Sequence, residues 1–278
     1  MKNKSWWVLG SAALMVACGA AAAKDDAKKG EAEAAAAIDA ALAGEHRSEG
    51  NRARDAYRHP KETLLFFGLR PDMKVVEIWP GGGWYTEVLA PVLREKGTLY
   101  AAHNDPNPEP GRSLVAYREK LAANSGVYDK VTVTAFGPNA HEIAPAGSVD
   151  MVVTFRNIHN WMSRDWAPQA FADMYKALKP GGILGIEEHR GNPKVEQDPK
   201  AHKGYVNEDY AIKMIEGAGF KLVARSDVNN NPKDTKDHPD GVWNLPPNLR
   251  NVADADKPKY QAIGESDRFT LKFKKPEK

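Results

Sequence analysis

The sequence predicts an α/β fold: a seven-stranded, mostly parallel Rossmann-like sheet with helices on both faces and a late antiparallel edge pair. Three observations carry this. Short β-rich runs alternate with helix-period segments from about residue 60 onward, as in a parallel sheet covered by helices. Val149 to Phe155 is nearly all apolar, as a strand covered on both faces should be. The last two strand-like runs, Phe220 to Ser226 and Phe269 to Phe273, have no regular helix between them, which points to an antiparallel pair at one edge.

The elements follow in order. Glu62 to Leu69 carries Leu64, Leu65, Phe66, Phe67 and Leu69, a helix-like apolar cluster. Lys74 to Trp79 is a first strand, broken by Pro80-Gly81-Gly82-Gly83. Tyr85 to Lys96 reads as a helix with Val88, Leu89, Val92 and Leu93 on one side, closed by Gly97. Thr98 to Ala102 is a second strand, Leu114 to Ala123 a helix, and Val131 to Phe136 a third strand. Val149 to Phe155 is the fourth. Asp165 to Leu178 is a helix with Ala167, Ala170, Phe171 and Met174 on its apolar side, stopped by Lys179-Pro180-Gly181-Gly182. Ile183 to Ile186 is the fifth strand, Glu208 to Gly217 a helix, and the two edge strands follow. Their connection, residues 227–268, shows little helical periodicity and is long for a loop, so it is expected to cover something.

The chain has 278 residues, with 39 Lys and Arg against 37 Asp and Glu. Residues 1–17 read as an export signal: Lys2 and Lys4 lead an apolar stretch from Trp6 to Ala17, too short to span a bilayer. The only cysteine, Cys18, stands directly after Leu14-Met15-Val16-Ala17, which resembles a bacterial lipobox. Lipidation of Cys18 would hold the protein at a membrane surface; ordinary cleavage after Ala21-Ala22-Ala23 is the alternative. A periplasm-facing lipoprotein, with the outer membrane as its site, is the expected localisation. Residues 18–48 are Ala-rich and read as a tether, leaving 49–278 as the folded domain. Removal of the signal takes away Lys2 and Lys4 and leaves 37 basic and 37 acidic residues. That balance gives no electrostatic reason for a nucleic-acid partner. The expected membrane contact is the lipid alone, no partner protein is indicated, and the expected ligand is a small molecule. One cysteine excludes an internal disulfide and a multi-thiolate zinc site.

The informative segment is Val75-Val76-Glu77-Ile78-Trp79-Pro80-Gly81-Gly82-Gly83-Trp84-Tyr85-Thr86. A strand ends, glycines turn, and a helix begins. Such a turn lets backbone approach a ligand and offers helix N-terminal N–H groups to it. The order of motifs resembles the class I S-adenosylmethionine-dependent methyltransferases. Glu77 takes the acidic place of the family's first motif, and Gly81 and Gly83 take two of its glycine places. Asp150-Met151-Val152-Val153 resembles the fourth-strand motif, and Leu178-Lys179-Pro180-Gly181-Gly182 the turn before the fifth. Trp79 to Thr86, together with Phe155-Arg156-Asn157-Ile158-His159-Asn160-Trp161, looks like a group of predicted exported bacterial methyltransferases. The resemblance implies S-adenosylmethionine as cofactor. It places Glu77, Gly81 and Gly83 at the cofactor, His103 where an acidic residue usually grips the ribose, and Asn139 near the adenine; Tyr85, beside the glycine turn, is a further cofactor candidate by position. Trp79 departs from the pattern, standing where the first glycine is usual.

Methyl transfer is an in-line displacement, so alignment dominates and a base is needed only where the nucleophile has a proton to lose. The place for such groups is beyond the fourth and fifth strands. His159 is the expected base, because imidazole titrates near neutrality. Arg156 is a candidate for an anionic substrate, or for an ion pair with Glu188, and His189 is a further catalytic candidate. Glu187 and Glu188 fall on opposite faces of a strand, so at most one faces the crevice. No histidine pair has short metal-binding spacing, and no metal is expected. Trp79, Trp84 and Tyr85 are read either as ligand-stacking or as core residues, and Trp243 to Pro247 as a lid or a surface loop. Three readings compete: an exported methyltransferase with an unknown acceptor, an inactive adenosyl- or small-ligand-binding module of the same fold, and a dinucleotide oxidoreductase. The last lacks a clean Gly-x-Gly-x-x-Gly turn.

Overall fold

The structure, a computed structural model, describes the backbone of residues 12–277 and the side chains of residues 28–277. The signal expected over 1–17 and the lipidation expected at Cys18 lie outside the described side chains. In chain order the elements are α1 (Ala12–Ala43), α2 (Glu49–Arg52), α3 (Asp55–Arg58), α4 (Pro60–Phe67), β1 (Lys74–Ile78), α5 (Thr86–Leu93), β2 (Thr98–Asn104), α6 (Arg112–Ala123), α7 (Ser125–Tyr128), β3 (Thr132–Phe136), β4 (Val149–Phe155), α8 (Ile158–Ser163), α9 (Ala167–Ala177), β5 (Leu178–His189), α10 (Glu208–Gly217), β6 (Lys221–Ser226), a 3-10 turn (Gly241–Asn244), α11 (Lys257–Ile263) and β7 (Arg268–Lys274). Among the described residues no helix is long and apolar enough to cross a membrane.

The sheet order is β3-β2-β1-β4-β5-β7-β6. The first five strands run parallel; β7 lies antiparallel between β5 and β6, which gives the edge pair expected from sequence. Side chains alternate across the sheet, and each face builds its own core. Val76, Ile78 and Val152 meet Trp161, Phe171 and Met174 on one face. Val75, Met151 and Val153 meet Phe67, Val88 and Leu89 on the other. β5 starts earlier than expected, at Leu178 rather than Ile183. Its Gly181 N–H donates to Lys275 O, and Lys275 N–H donates to Gly182 O, so pairing with the tail of β7 extends the ladder through the glycines.

The N-terminal helix changes the expected boundary. Ala34, Ile38 and Ala41 are buried, and Ile38 and Ala41 join the core that contains α5. The segment read as tether therefore belongs to the domain over its last turns. Its packing face repeats at i, i+4 and i+7, and two alanines let the helix backbones approach closely. Ile38→Ala is expected to cost about 2–5 kcal/mol in urea unfolding of the full chain. An unchanged midpoint would show that this helix does not belong to the core.

Between β1 and β4 the strand order reverses. Chain leaves β1 toward β2 on one side and returns to β4 on the other, so a crevice opens at their carboxyl ends. The glycine turn, α8 and the end of β5 all arrive there.

Candidate functional site

A cleft of about 380 Å³ fills that crevice. From the β1 end it is lined by Glu77, Trp79, Gly81, Gly82, Trp84 and Tyr85. From β4 and β5 come Phe155, Arg156, Asn157, His159 and His189. From α2, α3 and the residues between them come Asn51, Arg54 and Arg58. No residue of β2 or β3 is among those that line it.

The β1 side is rigid. Trp79 sits at φ +47, a left-handed conformation that glycine adopts without strain and tryptophan does not. It is held there by Trp79 N–H donating to Ala102 O at 2.9 Å, by its indole N–H donating to Phe136 O at 2.9 Å, and by packing on Phe136, Trp161 and Trp166. Trp79 thus reaches from the β1 end to the β3 end and closes the cleft on that side. Gly81, at φ +58, and Gly82 leave open space where a Cβ would stand, so the turn forms a cradle beside the cleft. Glu77 is buried behind the turn and accepts from Thr86 Oγ1 at 2.6 Å. Burial pushes its carboxyl up to about 7, against the opposing Thr86 hydrogen bond.

The β4 and β5 side holds two separate carboxylate pairs. Glu187 and Glu188 alternate across the strand, and both are fully buried. Glu187, not Glu188, pairs with Arg156: Nη1 donates to Oε1 at 2.6 Å, and Tyr85 Oη donates to Oε2 at 3.0 Å. Arg156 itself is left-handed, at φ +60, which turns its side chain back over β5. Burial raises Glu187, but Arg156, Arg268 and Arg58 outweigh that and hold it below the usual carboxylate range.

Glu188 caps α8. Oε2 accepts from Ile158 N–H at 2.6 Å and His159 N–H at 3.3 Å, and Oε1 accepts from His189 N–H at 2.8 Å and bonds His159 Nδ1 at 3.0 Å. Glu188 already accepts three backbone N–H groups, so it accepts from His159 Nδ1 as well, which leaves Nε2 as the acceptor; the tautomer follows from this network. His189 Nδ1 bonds Ser266 Oγ, and its ring lies 5.3 Å from that of His159. Burial first, then the neighbouring His159 and Arg268, hold His189 well below its ordinary value, so it is neutral. Trp243, from the 227–268 connection, stands edge-on to the His159 ring at 6.0 Å. His159, Glu188 and His189 thus gather within 4.8 Å, a grouping that the spacing of histidines in sequence does not show. Glu188 already receives four N–H groups, and Arg156 and Arg268 stand near, so the arrangement is built to orient imidazoles rather than to attract a dication.

Of the residues expected at the site, His159, Arg156, His189, Glu77, Gly81 and Tyr85 line the cleft. Tyr85 is buried, stacked on Phe155 at 3.4 Å and bonded to Glu187. Gly83 sits just behind, at φ +78, with Tyr117 against it. His103 and Asn139 do not line the cleft. His103 is buried, with Nε2 at 3.2 Å from Gly81 O and Nδ1 accepting Asn104 N–H at 2.8 Å, so both ring nitrogens brace the protein. Asn139 is exposed in the turn beyond β3. Arg54, Arg58 and Asn51 are the cleft residues that sequence did not single out.

Solved structures share this architecture. A crystal structure of a SAM-dependent methyltransferase from Aquifex aeolicus matches with TM-score 0.54 and 18% identity, over 80% of this chain and 93% of that one. The chain has the class I methyltransferase fold. A SAM-dependent methyltransferase from Methanosarcina mazei matches with TM-score 0.51 and 13% identity, over 77% of this chain and 98% of the other. The cyclase SpnF also matches, with TM-score 0.51 and 17% identity, over 80% and 81%. One fold thus carries more than one reaction, and the reaction must be argued from the site. No family model matches the sequence, and no curated protein matches it.

Proposed function

We propose that the protein is an S-adenosylmethionine-dependent methyltransferase of the bacterial envelope, exported, lipid-anchored through Cys18 and acting on a small-molecule acceptor. The observation that carries this is one cleft, at the strand-order reversal, that joins an open glycine cradle to an imidazole oriented by a buried carboxylate. Gly81, Gly82 and Trp79 would hold the cofactor, with Glu77 fixing the turn from behind. When bound, the cofactor supplies a methyl group on a sulfonium. His159 Nε2 takes the acceptor's proton, Glu188 holds the imidazole in that tautomer, and Trp243 stands edge-on to the ring. The acceptor reaches the cleft without a nucleic-acid or protein partner, and the outer membrane holds the lipid. The binding-module reading is favoured by one observation: His103 has both ring nitrogens engaged, leaving none for a ribose hydroxyl.

Calorimetry of the full chain separates the two. S-adenosylmethionine and S-adenosylhomocysteine are expected to bind with micromolar affinity. Gly81→Val should weaken both about tenfold or more, because a β-branched residue is strained at φ +58 and fills the cradle. A folded wild-type chain that binds neither would overturn the enzyme reading in favour of the module.

A further inference from the structure

One wall of the cleft is built of arginine. Arg54 Nε donates to Glu265 Oε1 at 2.5 Å, and Arg58 Nε to Glu265 Oε2 at 3.2 Å. Arg156 Nη1 donates to Glu187 at 2.6 Å. Behind them Arg268 also bonds Glu265 and stands 3.5 Å from Glu187. Four guanidinium groups therefore share two carboxylates. Glu188 is engaged by the N–H groups of α8 and by His189, and Glu77 by Thr86 on the far side of the turn, so neither neutralises this wall.

Burial first, and then Arg156, push the Arg58 guanidinium well below its ordinary value against the opposing Glu265, whereas the burial of Arg156 is outweighed by Glu187 and Glu265, which hold it above its own. The same arginines act on His189. Arg58 and Arg156 each engage only one nitrogen in a side-chain hydrogen bond here, and both residues line the cleft. Arg58 is further fixed over Trp84, with its guanidinium carbon 4.6 Å from the ring centroid. Held, planar guanidinium groups that outnumber their carboxylate partners four to two beside a cavity match an oxyanion with two oxygens to offer.

We infer that Arg54, Arg58 and Arg156 bind an anionic group of the methyl acceptor, a carboxylate or phosphate, which makes the acceptor a small organic acid. The inference rests on the methyltransferase reading for the word acceptor, but not for the anion site. A carboxylate on Arg58 and Arg156 would place the rest of a small acid among Trp84, Tyr85, Phe155 and His159, the remaining cleft walls.

The test is calorimetry of the full chain with benzoate, with inorganic phosphate and with S-adenosylhomocysteine. At least one of the first two is expected to bind saturably to the wild type and about tenfold or more weakly to Arg58→Gln and Arg156→Gln. S-adenosylhomocysteine should keep its affinity within about twofold and bind together with that anion. Arg54→Gln, at a partly exposed position, gives a variant that folds if the other two do not, and should weaken the anion about threefold. No saturable binding of either anion, or binding unaffected by all three variants, overturns the inference. Loss of S-adenosylhomocysteine in the variants, with mutual displacement of the two ligands, assigns the arginines to the cofactor's own carboxylate and overturns it too. An anion that binds where S-adenosylhomocysteine does not supports the site while removing the methyltransferase reading.

Discussion

Glu187→Gln is expected to destabilise the protein by about 3–5 kcal/mol, read as a lower urea midpoint at unchanged slope. The change removes one charge and almost no volume, so the effect isolates electrostatics. Glu187 is fully buried and receives Arg156 and Tyr85, with Arg268 at 3.5 Å. Without its charge, four arginines would face Glu265 alone, and the cost of burying them would no longer be offset. Replacing the ion pair as a pair should hurt less than breaking it. The double variant Glu187→Gln, Arg156→Met is therefore expected to lose less than the sum of the single losses. The pH dependence has a defined sign. Glu187 is held below the usual carboxylate range in the folded protein, and so is Glu265. Such groups stabilise fully above the unfolded carboxylate value, and the stabilisation fades as pH falls toward their depressed folded values. The wild type should lose stability through that acid window more steeply than Glu187→Gln. A loss below about 1 kcal/mol would show that the arginines are neutralised some other way.

The parts of this site that could be read from sequence are those fixed by local chemistry. A strand, three glycines and a helix start occur within a dozen residues, so the β1 turn is visible without tertiary knowledge. Arg156, His159 and His189 are visible for a related reason: they stand at or just beyond the carboxyl ends of strands that must form the crevice of a parallel sheet. What could not be read depends on partners distant in the chain. Arg54 and Arg58 lie in a polar stretch with no periodicity, and their partner Glu265 is 211 and 207 residues away. His103 sits at the expected strand end, but its contact with Gly81 O depends on how the glycine turn leans toward β2. The choice of Glu187 over Glu188 as partner of Arg156 is set by the positive φ of Arg156, which no residue type announces there. The N-terminal helix hid for a compositional reason. Its packing face holds Ile38 and two alanines, too few large residues to stand out in an Ala-rich run.

His159→Ala is expected to lower methyl transfer to hydroxylated or aminated small acids by about 10²–10⁴-fold, the usual contribution of a positioned base. S-adenosylhomocysteine affinity should stay within about twofold, because His159 lies beyond α8's start rather than at the glycine cradle. Two further measurements separate a base from a packing residue. Truncation leaves a cavity beside Trp243 and His189, and added imidazole should restore part of the rate; a purely structural loss has no reason to respond. Glu188→Gln tests the orientation. Its amide oxygen is expected to face the two N–H groups of Ile158 and His159, which turns the amide NH₂ toward His159 Nδ1 and gives up the His189 N–H bond. That hydrogen bond fixes the opposite tautomer, with the proton on Nε2, and an imidazole so arranged cannot accept one there. Glu188→Gln is therefore expected to lose about tenfold or more in turnover with His159 intact, and imidazole should not rescue it because the cavity is filled. Equal losses of turnover and S-adenosylhomocysteine affinity in His159→Ala, without rescue, would remove His159 as the base and leave it a packing residue of α8.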